Sequence, residues 1–517
     1  MYVSELTALF SAIKKCSTIA AAIFGDPKKY EVVSFPFREQ FPSIANGTVD
    51  ISTAQTTPTM HRDIREPVSQ QGVTFSTPYF YSGSTFVGIP EFVECAVQGD
   101  TLVGECRFLS VCVLDGSVQA DFVRRYLGGS VIHSVAYAFE LIERLYDGTC
   151  NVIPENPLSI HSQTAGVADF PFVVAPILLE VDPLALTTRN NDPEFGDLVN
   201  WVLRALVAAE ALGITQDTAH LFPTTNLFGE DKSTIFQDAI AAAGNYGELY
   251  SRHWEAIIPR TEGSINSLHV NGGDGGLLYA YPLGNVDLFD ETAKPAPNGT
   301  LYTINNREQF YCGIHVGRPG FASWNETARG WSGIDVDFCR GLAAALFAGL
   351  VDHHLILVPF NSLQDGFVAL KHRVLDVFSG AIYNIENDIR EPKTGIGFAF
   401  SDVYYYHEET DGEGVDVSAL AMATREDDSQ WTDFVRSMVK STIYAEAHAI
   451  SKASAETMPI LELFGPLYRQ ALRDVILSIG NYAELYVRNM EVYVPRVNTR
   501  NTLNNGNTPL FFAHWKF

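Results

Sequence analysis

Short apolar runs alternate along the chain with stretches of helical periodicity. The apolar run at 109–113 ends in Asp115, Gly116 and Ser117, which predicts a strand, a turn and a capped helix at 119–126. Residues 197–212 carry apolar side chains at helical spacing and end at Gly213. The same pattern predicts strands at 30–35 and 48–52, and helices at 37–46, within 131–146 and at 236–250. Strands joined through helices predict a doubly wound α/β sheet, whose ligand sites lie at the carboxyl ends of strands.

The chain contains an internal repeat whose matches stay in order. The sequence DIREP at 63–67 recurs at 388–392, an offset of 325. AAAIF at 20–24 recurs as AAALF at 343–347, an offset of 323. GNYGELY at 244–250 recurs as GNYAELY at 480–486, where the offset is 236. The difference between 325 and 236 is 89 residues, so the second copy lacks a segment that corresponds to roughly 87–180 of the first.

The first copy is incomplete at its beginning. In the second copy a strand-like segment at 311–316, a loop and a further segment at 333–338 precede AAALF. Before AAAIF the first copy has only about one helix of sequence. We therefore predict that the first copy lacks its opening strand, and that the second copy's opening strand or a partner's fills the gap.

Composition and charge exclude several classes of protein. The chain has 517 residues, which at about 150 residues per domain predicts three to four folded units. Lys and Arg number 35 against 61 Asp and Glu, a formal net charge of −26. A basic face for nucleic acid or for an anionic membrane surface is therefore not expected. No apolar run approaches the ~18–20 residues of a membrane helix, so no direct membrane insertion is predicted.

The N-terminal segment and the cysteines give evidence about the cellular compartment of the protein. No export signal is readable from Met1, since Glu5 comes early and Lys14 follows the apolar stretch. Four of the seven cysteines (Cys95, Cys106, Cys112 and Cys150) are close in sequence, and no CxxC pair predicts a zinc or redox site. Two alternatives stay open: a structural disulfide such as Cys112–Cys150, which would imply an oxidising compartment, or ordinary buried thiols.

One motif resembles a known family. The sequence GIDVDFCRGLAAAL at 333–346 is similar to the strand-to-helix motif of family 3 solute-binding proteins, the amino-acid receptors of ABC importers. GTVD at 47–50, TTPTMHRD at 56–63 and FSTPYFY at 75–81 resemble the next blocks of the same lobe. The helical tail, with GNYGELY and GGLLY at 275–279, is most similar to the general L-amino-acid-binding subgroup.

The resemblance implies a fold, a location and partners. The fold is a periplasmic-binding-protein-like type II α/β fold, two hinged lobes of doubly wound sheet around a cleft, here duplicated. The first copy would occupy 1–282 (lobe I 1–86, lobe II 87–185, helical return and tail 186–282), then a linker 283–310, and the second copy 311–517 (lobe I 311–409, helical tail 416–517). The implied location is extracytoplasmic, periplasmic or secreted. The implied partners are an amino-acid ligand and the membrane subunits of an ABC importer, with no cofactor and no metal.

The resemblance also implies a ligand site in lobe I of the first copy. An amino-acid receptor must neutralise a carboxylate and an ammonium in one dry cleft. The carboxylate requires a bidentate arginine together with helix N-terminal amides. The resemblance places the arginine at Arg62, with Gln55, Thr56 and Thr57 lining the same lobe.

Lobe II would supply the other half of the site, with two departures from the family. Ser117 and the amides after Gly116 match the family pattern, but Val118 stands where the family has a ligand-facing threonine. The acid that holds the ammonium falls on Asn156, with Glu155 beside it. A neutral amide does not balance a buried ammonium, so Glu155 would have to replace it.

Two other readings remain. Asn387 stands opposite Arg62 in the second copy, which also lacks most of lobe II, so a vestigial or interaction protein that keeps the fold is the alternative. An enzyme such as a receptor-fold dehydratase is the remote alternative, because Asp335 and Asp337 would share one face of a strand. No HExxH, GxxxxGK or GxSxG motif is present, and we predict a binding protein without catalysis.

Overall fold

Strands and helices alternate in both halves of the chain. The computed structural model describes residues 6–65, 72–164, 170–269, 275–287, 292–327, 329–410, 415–506 and 508–510. The helices of the first half are α1 (Leu6–Phe24), α2 (Gln40–Ala45), α3 (Met60–Ile64), α4 (Pro90–Gln98), α5 (Val118–Tyr126), α6 (Ala138–Tyr146), α7 (Pro157–Thr164), α8 (Pro193–Ala211), α9 (Ile235–Ala243) and α10 (Tyr246–His253). Its strands are β1 (Ser52–Thr56), β2 (Val73–Phe75), β3 (Phe80–Gly88), β4 (Ser110–Leu114), β5 (Val131–Val135), β6 (Val152–Glu155), β7 (Val173–Val174) and β8 (Glu180–Arg189).

The second half repeats much of this order. Its helices are α11 (Thr300–Arg307), α12 (Ile334–Leu346), α13 (Leu363–Lys371), α14 (Ile385–Ile389), α15 (Ser429–Ala447), α16 (Ala471–Ile479) and α17 (Tyr482–Asn489). Its strands are β9 (Phe310–His315), β10 (Ser323–Asn325), β11 (Gly330–Ser332), β12 (Leu355–Phe360), β13 (Val377–Tyr383), β14 (Ala399–Phe400), β15 (Tyr405–Thr410) and β16 (Val415–Thr424). Short 3-10 helices lie at Phe37–Glu39, Gly104–Phe108, Gln216–Leu221, Glu230–Lys232, Lys452–Thr457 and Pro466–Tyr468.

Two long antiparallel strands connect the lobes of the first copy. The strand order is β1-β8-β3-β6-β4-β5, with β2 on β8 and β7 on β3. β8 therefore pairs with lobe I strands, and β3 passes into lobe II, where β4 runs parallel to β5 and β6. Parallel strands need helical crossovers, and α5 and α6 supply them here. The predicted two-lobed α/β fold is confirmed.

In the second copy a hairpin replaces lobe II. The strand order is β12-β9-β13-β16-β14, with β15 on β16. β15 and β16 are the repeat counterparts of β3 and β8, and their ladder runs to the pair Thr410 and Val415. The chain thus turns back at the position where the first copy inserts lobe II, as the change of offset predicts.

The opening strand of the second copy stays in its own sheet. β9 pairs in parallel with β12 on one side and with β13 on the other, so the prediction that it fills the first copy's gap is wrong. Residues 30–35 are the repeat counterpart of β12, but they form no strand, and Tyr30, Val32 and Val33 are exposed. A strand needs a neighbour to satisfy its backbone groups, and the described residues supply none here.

Three further local expectations need correction. The strand expected at 48–52 begins only at Ser52, and the helix expected at 236–250 is two helices separated at Gly244, whose φ is +84°. The segment 333–338 is the start of helix α12, not a strand. Residues two apart on a helix do not share a face, so the predicted pairing of Asp335 with Asp337 is wrong.

The two acids of α12 have separate structural contacts. Tyr404 Oη donates to Asp335 Oδ1 at 2.5 Å, and burial raises the pKa of Asp335 to about 6. Asp337 accepts from Arg488 Nη2 and from Asn489 Nδ2, each at 2.7 Å. Both carboxylates thus stabilise the packing of α12, and neither forms an acid–base pair with the other.

The two copies pack against each other through matching faces. One hydrophobic core contains Trp201 of the first copy together with Tyr383 of the second. Trp201 Nε1 donates to Asp388 Oδ2 at 2.6 Å, and Lys440 Nζ donates to Asp63 Oδ2 at 2.7 Å. Asp63 and Asp388 are counterparts in the repeat, so each copy presents the same patch, as in a two-fold dimer.

The segment predicted as a linker is partly built into this core. Leu283 and Val286 are buried, and α11 lies inside the range 283–310. The amides of Met60 and His61 donate to the carbonyls of residues 282 and 283 at 3.1 and 2.9 Å. The segment therefore contacts α3 of the first copy, and the domain boundaries themselves stay a prediction.

Candidate functional site

A cavity of about 1080 Å³ lies between the lobes of the first copy. It is bounded by β1 and α3 on one side and by the starts of α5 and α7 on the other. α5 and α7 follow the carboxyl ends of the neighbouring strands β4 and β6, the usual position of a ligand site in such sheets. Seven of the eight predicted site residues line this cavity: Gln55, Thr57, Arg62, Ser117, Val118, Glu155 and Asn156.

The Arg62 side chain is buried and joins the two lobes. It lies on α3, where Thr59 caps the helix by accepting from Arg62 N at 3.2 Å. Arg62 Nη1 donates to the carbonyl of Thr57 at 2.7 Å, and Nη2 donates to the carbonyl of Gly116 at 2.8 Å. The guanidinium also lies 5.2 Å from the centre of the Phe41 ring. These contacts hold a planar cation at the cavity wall, which is the geometry that recognises carboxylates.

The neighbouring polar residues of lobe I have different orientations. Gln55 and Thr57 line the cavity, and Gln55 has a φ of +53° in a strand whose register shifts there. Thr56 is fully buried and its Oγ1 donates to Gln40 Oε1 at 2.8 Å, outside the cavity lining. The structure thus brings Gln55 and Thr57 together with Arg62, and it separates Thr56 from them.

The turn between β4 and α5 contributes a helix N-terminus. Ser117 is the N-cap of α5, and its Oγ accepts from the amide of Ala120 at 3.1 Å. Gly116 precedes it with a φ of +76°, a conformation that favours glycine. Val118 is the first helical residue and presents an apolar side chain to the cavity. Because the first amides of a helix have no intrahelical acceptor, this end of α5 can receive an anion.

Glu155 and Asn156 form one polar unit at the end of β6. Glu155 is buried opposite Thr85 of β3, and its Oε1 accepts from Asn156 N at 2.9 Å and from Asn156 Nδ2 at 3.2 Å. Asn156 Oδ1 accepts from the amide of Ser159 at 2.9 Å and so caps α7. The side-chain oxygen of Asn156 therefore has a structural role, and the carboxylate that lines the cavity here belongs to Glu155.

Another carboxylate of the cavity lining, that of Asp182, was not predicted from the sequence. Asp182 lies on β8, is 2 % exposed and lines the cavity. Ser84 Oγ donates to its Oδ2 at 3.0 Å, and Gln119 Nε2 donates to the same oxygen at 3.2 Å. Burial raises the pKa of Asp182, while the Ser84 bond and nearby Arg62 oppose that rise. The available signal was an acid near the start of a mostly apolar strand, which resembles no motif.

The corresponding position of the second copy holds no cation. Asn387 lies where Arg62 lies in the first copy, and its Nδ2 donates to the carbonyl of Ile382 at 2.8 Å. Ile382 is the repeat counterpart of Thr57, so the backbone contact is kept while the charge is lost. The counterpart of Asp182 is Ser418, which removes the carboxylate as well.

The described part of the chain also bears on metal binding and on membrane insertion. There, no three His, Cys, Asp or Glu side chains converge in a way that would hold a metal ion. Across the same residues, no helix has both the length and the apolar character to cross a membrane.

The chain is similar in sequence to several amino-acid-binding proteins. The chain is 27% identical to the glutamate/glutamine/aspartate/asparagine-binding protein BztA of Rhodobacter capsulatus and 24% identical to the general L-amino acid-binding periplasmic protein AapJ of Rhizobium johnstonii. Each match covers 52% of this chain and 81% of the relative. The chain resembles amino-acid-binding proteins of ABC transporters. This confirms the resemblance predicted from the motif at 333–346.

The chain was also compared with protein-family models and with solved structures. No protein-family model matches the chain. Among solved structures, an ABC transporter periplasmic binding protein from Brucella ovis with glutathione bound is 25% identical, with a TM-score of 0.42. That match covers 52% of this chain and 88% of the other. The sequence relatives cover about half of this chain, which agrees with a tandem arrangement of partial copies.

Proposed function

We propose that the first copy is an amino-acid receptor that binds its ligand in the cavity between the lobes. The observation that carries this proposal is the buried guanidinium of Arg62, which donates to both lobes and shares the cavity with the carboxylates of Glu155 and Asp182. An amino acid needs a cation for its carboxylate and a carboxylate for its ammonium. These residue types line one cavity, and the relatives are named for binding amino acids.

The ligand carboxylate would bind between Arg62 and the N-terminus of α5. There it would replace the Gly116 carbonyl as the partner of Arg62 Nη2 and accept from the first amides of the helix. The ammonium would bind at Glu155, with Asp182 contributing a second negative charge. Val118 removes the hydroxyl that the family pattern has, so backbone amides supply the contacts on that side.

We infer that the second copy stabilises the first and binds no amino acid itself. Its hinge strands β15 and β16 join in a hairpin, and Asn387 replaces the anchoring arginine. Asp335 and Asp337 serve packing within α12 and therefore give no support to catalysis. An extracytoplasmic location is supported by three disulfides, Cys95–Cys106, Cys112–Cys150 and Cys312–Cys339. Delivery to the membrane subunits of an ABC importer is supported by the resemblance to amino-acid-binding proteins of ABC transporters.

Calorimetric titration of the full chain with each proteinogenic L-amino acid tests this function, together with thermal unfolding at saturating ligand. We expect at least one amino acid to bind and Arg62→Gln to weaken it by at least about tenfold, the loss of roughly 1.4 kcal/mol. Asn387→Ala is the matched control at the counterpart position and is expected to leave the affinity unchanged. Absence of heat and of thermal stabilisation with every amino acid would refute the proposal, as would unaltered affinity in the Arg62 variant.

A further inference from the structure

The first copy has an open sheet edge where the second copy has a strand. In the second copy β9 lies beside β13, with Cys312 opposite Val377 and Ile314 opposite Ser379. The counterpart of β13 is β1, which pairs with β8 on its other side. Among the described residues no strand pairs with the free side of β1. An unpaired edge of this kind is a template for an added strand.

A cysteine marks the same place in both copies. Cys339 on α12 forms a disulfide with Cys312 on β9. The offset of 323 that relates AAAIF to AAALF makes Cys16 on α1 the counterpart of Cys339. Six of the seven cysteines form disulfides, and Cys16 is the free one. Cys16 lines the cavity and contacts the Thr53 side chain on β1, so it faces the position of the missing strand.

The part of the cavity beside β1 has apolar residues in its lining and contains a buried donor. Ile19 and Phe24 of α1 line it, together with Val32 and Val33 of the segment that fails to form a strand. Gln40 Nε2 is buried in the same lining, and the described residues give it no hydrogen-bond partner. At this end of the cavity, an unpaired strand edge and an unsatisfied donor fit an added polypeptide strand.

We propose that this end of the cavity binds an extended segment of a partner polypeptide that adds to the free edge of β1 and forms a disulfide with Cys16. The repeat supplies the template, since β9 has the sequence FYCGIH, in which apolar residues flank a cysteine. The partner segment therefore has a cysteine within a short apolar strand. This inference rests on the repeat and on this end of the cavity, and it does not depend on amino-acid binding.

The covalent step is a thiol–disulfide exchange. The segment arrives with its cysteine in a mixed disulfide with a small thiol, and the Cys16 thiolate attacks the segment's sulfur. The new S–S bond joins Cys16 to the segment, the old S–S bond breaks, and the small thiol leaves as a thiolate. One disulfide replaces another, so no further oxidant is needed.

A synthetic peptide tests the proposal on the full chain. The probe has the sequence of residues 308–317, EQFYCGIHVG, with its cysteine activated as a thiopyridyl disulfide. We expect one peptide per chain, attached at Cys16, and a higher melting temperature of the adduct. A scrambled peptide with the same activated cysteine should react at least about tenfold more slowly, because it forms no paired strand.

Two variants separate strand binding from simple thiol reactivity. A Cys→Ser peptide should still raise the melting temperature without forming an adduct, and Cys16→Ser should abolish the adduct with the activated peptide. Equal rates for the native and scrambled peptides would overturn the proposal. A Cys16-linked dimer of the chain that the peptide fails to compete with would also overturn it, in favour of a second copy as occupant.

Discussion

The ion pair between Lys440 and Asp63 connects the two copies and gives the sharpest test of their packing. Lys440 Nζ lies 2.7 Å from Asp63 Oδ2 and 3.8 Å from Asp402 Oδ2, and the Lys440 side chain is 8 % exposed. Replacing Lys440 with methionine keeps most of the side-chain length and leaves Asp63 buried without this partner. Loss of one partner of a buried pair costs about 3–5 kcal/mol.

The magnitude should fall at the lower end of that range, about 3 kcal/mol. Arg436 Nη1 lies 4.0 Å from Asp63 Oδ1 and still compensates part of the charge in the variant. The assay is urea unfolding followed by tryptophan fluorescence, since Trp201 and Trp431 are both fully buried. Lys393→Met is the matched control: its pair with Asp365 is exposed, so at most about 1 kcal/mol is expected.

A double-mutant cycle decides whether the contact itself is responsible. Asp63→Asn with Lys440→Met should destabilise the chain by at least about 1 kcal/mol less than the sum of the two single changes, because the pair is removed together. Strictly additive effects, or a Lys440→Met variant within about 0.5 kcal/mol of the parent, would refute this interface between the two copies.

Three further predictions use the same unfolding assay. Removing the Cys112–Cys150 disulfide by a double alanine change should cost about 4 kcal/mol, from the entropy of a loop that spans 38 residues; unchanged stability would contradict this. Burial and nearby Asp388 raise the pKa of Glu426 to about 8 from 4.5. Between these two values the folded chain holds a proton that the unfolded chain releases, so the free energy of unfolding should fall as the pH rises through that range. Glu426→Gln should flatten that fall between about pH 5.5 and pH 8.5, and an unaltered slope would refute the assignment. Asn481→Ala removes the N-cap of α17 and should cost about 1 kcal/mol, and no loss would argue against the cap.

Several elements were predictable because their signals are local. The strand and turn before α5 follow from an apolar run and the Asp115, Gly116 and Ser117 sequence, and the cap hydrogen bond of Ser117 forms within four residues. The pairing of Cys112 with Cys150 was one of two open alternatives, and the structure selects the disulfide. The cap hydrogen bond of Asn156 is also local, but the family pattern predicted a contact of Asn156 with the ligand ammonium instead.

Other features depend on contacts that are distant in sequence. Residues 30–35 have strand composition, yet without a neighbouring strand their backbone stays unpaired and they form no strand. Asp335 and Asp337 alternate with an apolar residue as in a strand, but packing of α12 against α16 places them in a helix. Asp182 enters the cavity only because the long strand β8 passes beside β3.

The sequence by itself determined the repeat, the absence of lobe II from the second copy and the α/β alternation. Each of these follows from the spacing of matching segments or from the pattern of apolar residues. The sequence also predicted Arg62 as the anion-binding residue from a motif, and that role stays a prediction. Only the tertiary structure decided that Arg62 spans both lobes, that Lys440 meets Asp63 across 377 residues and that Cys16 faces an open strand edge. These contacts depend on which surfaces pack together in the folded chain. The energy of each polar contact arises only when packing has buried the groups that form it.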